Sequence, residues 1–245
     1  GSVVAVSNSG QELFSTPEWF QPAFGIAAIS VADFDRDGEP EFLYSGRLYS
    51  HDGRVLFTIP ELGNGGMGGI PYGADLDLDG TLEIVSGLRA WKLDGSFYFG
   101  NTETPGSWSA LGNFDSDPNP EIAAINAGWL SLLEHNGAVK WGPIPIPGGG
   151  RGGPPTVADV NGDGIPEIGI AGATRYSVFT REGAVLWSAI IQDGSSNVTG
   201  SSVFDFDGDG SAEVVYNDEL YLRIYRGADG AVLWQTKNPS CTAVE

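Results

Sequence analysis

A nine-residue acidic pattern recurs five times along this chain of 245 residues, at intervals of 38 to 46 residues. Its copies, named loops 1 to 5 here, are residues 33–41 (DFDRDGEPE), 75–83 (DLDLDGTLE), 113–121 (NFDSDPNPE), 159–167 (DVNGDGIPE) and 205–213 (DFDGDGSAE). A second marker, a glycine turn followed by an aromatic residue, recurs six times and ends at Phe14, Phe57, Phe99, Trp141, Trp187 and Trp234. Because two independent markers keep one period, the chain is a tandem repeat.

Each repeat is predicted to contain four short strands. Apolar composition and alternation place them at 26–32, 41–45, 48–51 and 55–59 in the first full repeat, and at 156–158, 168–171, 176–180 and 184–189 in the fourth. The Asp-Gly and Asn-Gly pairs between such runs are typical of tight hairpins, whose turns need positive φ. Four antiparallel strands in each repeat of about 40 to 50 residues predict an all-β fold, specifically a β-propeller of four-stranded antiparallel blades.

The order of the repeats predicts five full blades plus two strands of another. The chain begins with the third and fourth strands of a repeat and stops where the next first strand is due. We therefore expect a single propeller domain over residues 1–245 that is a fragment of a larger propeller. A complete five- or six-bladed ring is the alternative.

The charge of the chain excludes some partners. Thirty-two acidic residues against twelve basic ones give a formal net charge of −20, which repels nucleic acid and anionic membrane surfaces. No apolar run reaches the roughly 18 residues that span a bilayer, so membrane insertion is not expected. The acidic residues are clustered in the five loops, and clustering of this kind favours bound cations.

Each loop is predicted to bind calcium, a hard cation that takes six to eight oxygen ligands. Positions 1, 3 and 5 offer side-chain oxygens, glycine at position 6 permits a sharp reversal, position 7 offers its carbonyl, and Glu at position 9 closes the shell. The candidate ligands are Asp33, Asp35, Asp37, Glu39, Glu41, Asp75, Asp77, Asp79, Thr81, Glu83, Asn113, Asp115, Asp117, Asn119, Glu121, Asp159, Asn161, Asp163, Ile165, Glu167, Asp205, Asp207, Asp209, Ser211 and Glu213.

Other interpretations of the loops are weaker. A helical calcium hand would place its closing Glu at position 12 before a helix, whereas strand composition follows position 9 here. Zinc and copper are disfavoured because the loops lack His and Cys, and magnesium usually keeps more waters. Surface turns without a metal are the remaining alternative. Five copies, each with three or four carboxylates that repel one another, argue against it.

The five loops are not equivalent, and we expect up to five calcium ions with unequal affinity. Loop 3 has Asn113 at position 1 and Pro118 at position 6, where proline fixes a negative φ. It is therefore predicted to be the weakest site. Loop 4 has Asn161 at position 3, which keeps an oxygen but loses a charge.

The loops and their flanks, such as Val157-Ala158-Asp159 and residues 83–87 (EIVSG), resemble the FG-GAP/VCBS repeats of integrin-α-type β-propellers. The resemblance covers nearly the whole chain. It implies calcium in the hairpin between the first and second strands of a blade, and an extracellular or cell-envelope location. Such propellers occur in integrin α subunits, adhesins, lectins and polysaccharide lyases, so the family does not specify one function.

Three functions are compatible with this pattern. The first is a binding or adhesion module for protein or glycan ligands, in which calcium is structural. The second is a lectin, with Trp19 and Trp108 and the glycine-rich segments 63–69 and 148–153 between repeats; packing between blades is the alternative role for these Trp residues. The third is the propeller of a lyase-like enzyme within a longer parent chain.

Catalytic residues are not expected in the chain itself, so we predict that it is not an enzyme. Its two histidines, His51 and His135, both precede hairpin turns, where a solvated histidine is far commoner than a catalyst. Nucleophile-elbow, phosphate-loop and zinc-site motifs are absent from the sequence.

Overall fold

The computed structural model of the chain describes residues 2–16, 29–44, 46–59, 62, 70–100, 107–195 and 198–238. Over these residues the chain forms 22 strands. They are β1 (Val4–Val6), β2 (Glu12–Ser15), β3 (Ser30–Ala32), β4 (Glu41–Tyr44), β5 (Arg47–Tyr49), β6 (Val55–Thr58), β7 (Tyr72–Ala74), β8 (Glu83–Ser86), β9 (Arg89–Trp91), β10 (Phe97–Gly100), β11 (Ser107–Gly112), β12 (Glu121–Asn126), β13 (Trp129–Leu133), β14 (Val139–Pro145), β15 (Thr156–Ala158), β16 (Glu167–Ala171), β17 (Arg175–Phe179), β18 (Val185–Ile190), β19 (Ser202–Phe204), β20 (Glu213–Asn217), β21 (Tyr221–Tyr225) and β22 (Val232–Lys237).

The strands form five four-stranded sheets and one two-stranded sheet, and in every sheet the strand order follows the sequence. Blades 1 to 5 are β3–β6, β7–β10, β11–β14, β15–β18 and β19–β22, and the two-stranded sheet is β1–β2. The prediction of an all-β chain with two opening strands and five full repeats is confirmed. Within the described part of the chain, no helix has the length and hydropathy to cross a membrane.

The predicted strand ends differ slightly from the observed ones. The predicted strand 26–32 starts at Ser30 among the described residues, because β3 pairs with β4 only from Ser30↔Leu43 to Ala32↔Glu41. The prediction for 156–158 matches β15, and the prediction for 184–189 is shifted by one residue in β18.

Contacts divide the chain into two compact units, Gly1–Ser107 and Trp108–Glu245. The first unit contains β1 to β10, and the second contains β11 to β22. The extent of a single propeller domain over residues 1–245 stays a prediction.

The core lies between neighbouring blades within each unit. In the first unit, one cluster joins Phe34, Leu43 and Leu48 of blade 1 to Ile84 and Trp91 of blade 2. In the second unit, one cluster joins blades 3 and 4 and another joins blades 4 and 5. The second strand is therefore buried on both faces in three blades: β8, β16 and nearly all of β12 are buried.

The glycine turns and the aromatic residues of the sequence pattern pack against each other from one repeat to the next. Gly230 has φ +72°, and a Cβ there would lie 2.5 Å from the Trp187 ring of the preceding blade. A Cβ at Gly53 would lie 2.6 Å from the Phe14 ring in the same way. At these two positions the marker is therefore a packing contact between neighbouring repeats, and the close approach of the ring leaves no room for a Cβ.

Candidate metal sites

Each acidic loop connects the first and second strands of its blade, as predicted. In loop 1 the backbone amide of Gly38 donates to Asp33 Oδ2 at 3.0 Å, across five residues. The amides of Asp37 and Glu39 donate to the carboxylates of Asp35 and Asp37, at 3.1 and 2.8 Å. These bonds curl the loop around its own carboxylates, which brings like charges together.

The Glu at position 9 is buried in all five loops, with 0 to 4% of its surface exposed. One of its oxygens, Oε2, accepts the backbone amide of position 2. This bond joins Phe34 to Glu41 (2.8 Å), Leu76 to Glu83 (2.8 Å), Phe114 to Glu121 (2.7 Å), Val160 to Glu167 (3.0 Å) and Phe206 to Glu213 (2.9 Å). The carboxylate is therefore fixed by one oxygen, and its second oxygen remains for other partners.

The residue at position 2 holds the loop in the core between blades. Phe34, Leu76, Phe114 and Val160 are 0 to 3% exposed, whereas Phe206 of blade 5 is 56% exposed. The sequence analysis did not assign a role to this position. The signal was present, because all five loops carry a large apolar residue there.

Four loops bring together carboxylates that could hold a metal ion. Ligand atoms lie within 4.8 Å of one another in the sets Asp33, Asp35 and Asp37; Asp75, Asp77 and Glu83; Asp115, Asp117, Glu121 and Glu134; and Asp205, Asp207 and Glu213. Loop 4 has no such set among the described residues, because Asn161 stands at position 3. The Asn161 amide instead donates to Glu167 Oε1 at 2.7 Å and to Asp163 Oδ2 at 3.2 Å.

Loop 1 fits the calcium that the FG-GAP resemblance implies. Asp33 Oδ1 is buried and has no hydrogen-bond partner. A buried carboxylate oxygen of this kind is costly unless a cation or a donor satisfies it. Asp33, Asp35 and Asp37, whose ligand atoms lie close together, would hold the ion. Glu41 and the backbone carbonyl at position 7 stay predicted ligands.

Burial raises the pKa of the closing glutamates of loops 1, 3 and 4. The pKa of Glu41 is raised by burial first, and then by the negative charges of Asp35, Asp37 and Asp33, against the opposing amide of Phe34. Burial and the charges of Asp163 and Asp159 raise the pKa of Glu167 to about 7. Both shifts mean that the charged carboxylate is destabilised where it stands.

In loop 2 a lysine contacts the carboxylates that form the candidate site. Lys92 Nζ lies 2.6 Å from Asp77 Oδ2 and 3.0 Å from Glu83 Oε1, and 4.2 Å from the centre of the Tyr98 ring. Arg36 of loop 1 also donates to Asp75 Oδ2 at 3.1 Å. One oxygen of the loop, Asp75 Oδ1, is still buried without a partner.

In loop 3 a second lysine takes a similar place. Lys140 Nζ lies 3.3 Å from Glu121 Oε1 and 3.0 Å from Glu134 Oε1, and it also contacts Asp115. The hydrogen bond to this ammonium holds the pKa of Asp115 below its usual range. The repeat pattern did not indicate either lysine or Glu134, because they come from later parts of the blade, outside the nine-residue loops.

Loop 3 keeps its curl without a glycine at position 6. Pro118 has no N–H to donate to position 1, so Asn113 Nδ2 donates to the Asp117 carbonyl instead, at 2.6 Å. The amides of Asp117 and Asn119 still bond to Asp115 and Asp117, at 2.8 and 2.9 Å. Loop 3 is therefore curled despite Pro118, and the predicted weakness of its site, a matter of affinity, stays a prediction.

The residues considered for other functions lie outside the five acidic loops in the sequence. Trp108 packs against the core cluster shared by blades 3 and 4, which supports the packing role. Trp19 and segment 63–69 lie outside the described residues, and segment 148–153 connects β14 to β15. His51 is exposed on a turn, and His135 is partly buried on the equivalent turn of blade 3.

Comparison with known families supports the sequence resemblance. Residues 113–170, which contain loops 3 and 4, match the family model described as FG-GAP-like repeat. The predicted resemblance is confirmed for that part of the chain. No curated protein matches the chain in sequence.

Solved structures show the same fold at low sequence identity. The biofilm matrix protein Bap1 of V. cholerae has a TM-score of 0.74 at 16% identity, over 98% of this chain and 67% of its own. A rhamnogalacturonan lyase of Bacillus licheniformis has a TM-score of 0.61 at 20% identity, over 95% of this chain and 44% of its own. BamB of Moraxella catarrhalis has a TM-score of 0.52 at 11% identity, with 95% and 69% covered. The β-propeller fold is confirmed, and the chain spans less than half of the lyase's length.

Proposed function

We propose that this chain is a calcium-binding β-propeller module of an extracellular protein, which binds protein or glycan ligands and uses calcium to stabilise its blades. The observation that carries the proposal is the closing Glu of each loop. It is buried, it is fixed by the amide of position 2, and in loops 1 and 5 it lies beside aspartates with no lysine among them. A divalent cation would neutralise these carboxylates where water cannot.

The position of the loops explains why calcium would act on stability. Position 2 of each loop from 1 to 4 is buried in the core, one residue from a predicted ligand at position 1 or 3. An ion that fixes the loop therefore also fixes the apolar residue between the ligands. Because such an ion binds the folded chain and not the unfolded one, it stabilises the fold by mass action.

Thermal melting with and without calcium tests this proposal. We expect the chain to melt about 10 °C or more higher in millimolar calcium than in EGTA, given about 2 to 3 kcal/mol per saturated site and a shift of roughly 2 to 4 °C per kcal/mol. Magnesium at the same concentration is the control and should give a smaller shift. Equal melting temperatures in calcium and EGTA would remove the proposal.

An extracellular location and a recognition role are supported by the setting of the similar proteins. One of them is named a biofilm matrix protein, and FG-GAP repeats are typical of propellers that meet millimolar calcium. Incubating the chain with purified matrix polysaccharides and measuring retention separates a glycan ligand from a protein ligand. Retention on glycan would establish the lectin alternative.

The second candidate is the propeller portion of a polysaccharide lyase. The fold likeness to the Bacillus licheniformis enzyme extends over 95% of this chain, which is the observation in its favour. Release of unsaturated sugars from rhamnogalacturonan by the chain would establish it. Absence of release together with calcium-dependent melting is the result expected for a binding module.

A further inference from the structure

In two of the five acidic loops, an ammonium group contacts the carboxylates that a metal ion would need. The chain has only three lysines, and two of them, Lys92 and Lys140, contact these loops. In a chain with a net charge of −20, lysine is scarce, so its concentration at two loops calls for an explanation.

The two lysines reach equivalent carboxylates from different places in the blade. Lys92 directly follows β9, and its partners are Asp77 at position 3 and Glu83 at position 9 of loop 2. Lys140 lies within β14, and its partners include Asp115 at position 3 and Glu121 at position 9 of loop 3. The same pair of positions is therefore bridged by lysines from two unrelated sequence positions.

Strand pairing identifies what the other blades have at these positions. On the third strand of each blade, one residue pairs with the residue that follows the closing Glu. In blades 1 to 5 this residue is Tyr49, Trp91, Leu133, Phe179 and Tyr225, and the next residue in the chain is Ser50, Lys92, Glu134, Thr180 and Arg226. Lys140 is the extra residue where the register of the fourth strand shifts, and in blades 1, 2, 4 and 5 this residue is Leu56, Tyr98, Leu186 and Leu233.

Blades 1, 4 and 5 lack a lysine at both places. Ser50 and Thr180 carry no charge, and their hydroxyls bond to Asp52 and Glu182 of the neighbouring turn. Arg226 points to Asp229 at 3.0 Å, within its own turn. In these blades the side chains at the two places do not reach the loop carboxylates.

The environment of both ammonium groups keeps them charged. Burial alone would lower the pKa of Lys92, but its hydrogen bonds to Asp77 and Glu83 outweigh burial and raise the pKa above its usual value. The same balance applies to Lys140, with Asp115, Glu134 and Glu121 as partners. The side chains of Glu83 and Glu121 are only 1% and 0% exposed, so each pair is shielded from water on its glutamate side.

We infer that Lys92 and Lys140 are built-in counter-ions of loops 2 and 3, which hold these hairpins without a divalent ion, and that calcium binds only the lysine-free loops 1, 4 and 5. The inference rests on the proposed calcium binding and restricts it to particular loops. For loop 2 the inference differs from the sequence prediction of a calcium site, because Asp75, Asp77, Asp79 and Glu83 match every side-chain ligand position of the pattern.

The physical reason is competition for the same oxygens. A calcium ion in loop 2 would need oxygens of Asp77 and Glu83 that Lys92 already occupies, and it would bring two positive charges close to an ammonium. Binding would require the lysine to leave its carboxylates and the Tyr98 ring. The loss of these contacts lowers the affinity of loops 2 and 3 for calcium relative to loops 1, 4 and 5. In loop 4 the group on Glu167 Oε1 is the Asn161 amide, which is neutral and has an oxygen of its own to offer, so it opposes a calcium ion less than an ammonium does.

Calcium bound per chain, measured by equilibrium dialysis at millimolar calcium, tests the inference. We expect three ions in the wild type. Glu213→Gln should lose one ion, and Glu121→Gln should lose none. Lys92→Met and Lys140→Met should each gain one ion, because the methionine leaves the carboxylates without a cation. Lys237→Met, in β22, is the matched control and should not change the count.

The possible results distinguish failure of this inference from failure of the proposed function. Five ions in the wild type, or the loss of an ion in Glu121→Gln, would overturn the inference and leave calcium binding in place. No ions in any variant would overturn the proposed function itself. Circular dichroism before dialysis identifies a lysine variant that fails to fold. In that case the wild-type count and Glu121→Gln still test whether loops 2 and 3 bind calcium.

Discussion

Loops 1 and 2 have the same ligand pattern, with Asp at positions 1, 3 and 5, Gly at position 6 and Glu at position 9, yet their surroundings differ. Position 1 is alike in the two loops, since Asp33 Oδ1 and Asp75 Oδ1 are both buried without a partner. The difference lies at position 9, where the pKa of Glu41 in loop 1 is raised. In loop 2, Lys92 bridges Asp77 and Glu83. The two loops thus differ in the side chains that later parts of the blade bring to them, and we infer that these side chains determine which cation neutralises each loop.

The largest expected effect comes from removing the lysine of loop 3 in calcium-free buffer. Lys140→Met leaves Asp115, Glu121 and Glu134 close together without a positive charge, and breaking a buried pair in this way costs about 3 kcal/mol of the free energy of unfolding. Urea unfolding in EGTA measures it. Calcium should restore part of the loss, and an unchanged stability in EGTA would contradict the role of Lys140.

A somewhat smaller effect separates loop 1 from loop 2 in calcium. Glu41→Gln removes a predicted ligand from loop 1 and should reduce the calcium-dependent gain in stability by about 2 to 3 kcal/mol. Glu83→Gln weakens the contact with Lys92 but should leave the calcium-dependent gain unchanged. Paired urea titrations in calcium and EGTA give both numbers. Equal losses of the calcium-dependent gain would show that loops 1 and 2 behave alike.

The pH dependence of loop 4 in EGTA is the next effect in size. The folded pKa of Glu167, about 7, lies above its ordinary value of 4.5, so the folded chain binds a proton more tightly than the unfolded chain. Stability from this group is therefore present at low pH and is lost as the pH rises from about 5 to 8, by about 2 kcal/mol.

The Glu167→Gln variant is the control for this pH dependence. The free energy of unfolding of this variant should not fall between about pH 5 and 8 by the amount that Glu167 contributes in the wild type. In calcium, the variant and the wild type should differ less in their dependence on pH. If the wild type and Glu167→Gln show the same slope with pH in EGTA, burial does not destabilise the charged form of Glu167.

The smallest effect concerns the arginine that links loops 1 and 2. Arg36 is 61% exposed at the side chain and lies 3.1 Å from Asp75, which is 17% exposed. Exposed pairs contribute about 0 to 1 kcal/mol and are weakened by salt. Arg36→Ala should therefore change the melting temperature by about 2 °C or less. A larger drop that persists in high salt would mean that Arg36 also neutralises loop 2.

Much of the fold could be predicted from the sequence because its signals are local. The period of the acidic loops, the glycine turns and the alternation of apolar residues located the blades, and β15 matches its predicted ends. The start of β3 was predicted too early, since apolar composition alone does not report where pairing with β4 begins. The burial of position 2 could have been predicted from its apolar character in every loop.

The division between the two kinds of loop could not be predicted in the same way. Lys92 is nine residues beyond Glu83, and Lys140 is nineteen residues beyond Glu121. Neither spacing is part of the repeat pattern, and only the pairing of strands within the blade brings these side chains to the loops. The sequence therefore identified the carboxylates but not the cation that neutralises each group of them.

A crystal structure of the chain grown in calcium, with anomalous data collected at long wavelength, tests the central claim most directly. The account predicts anomalous peaks among the carboxylates of loops 1, 4 and 5. It also predicts no peak in loops 2 and 3, where Lys92 and Lys140 should remain on their glutamates. Peaks in all five loops with both lysines displaced would contradict the division between loops, and the absence of any peak in loop 1 would contradict calcium binding.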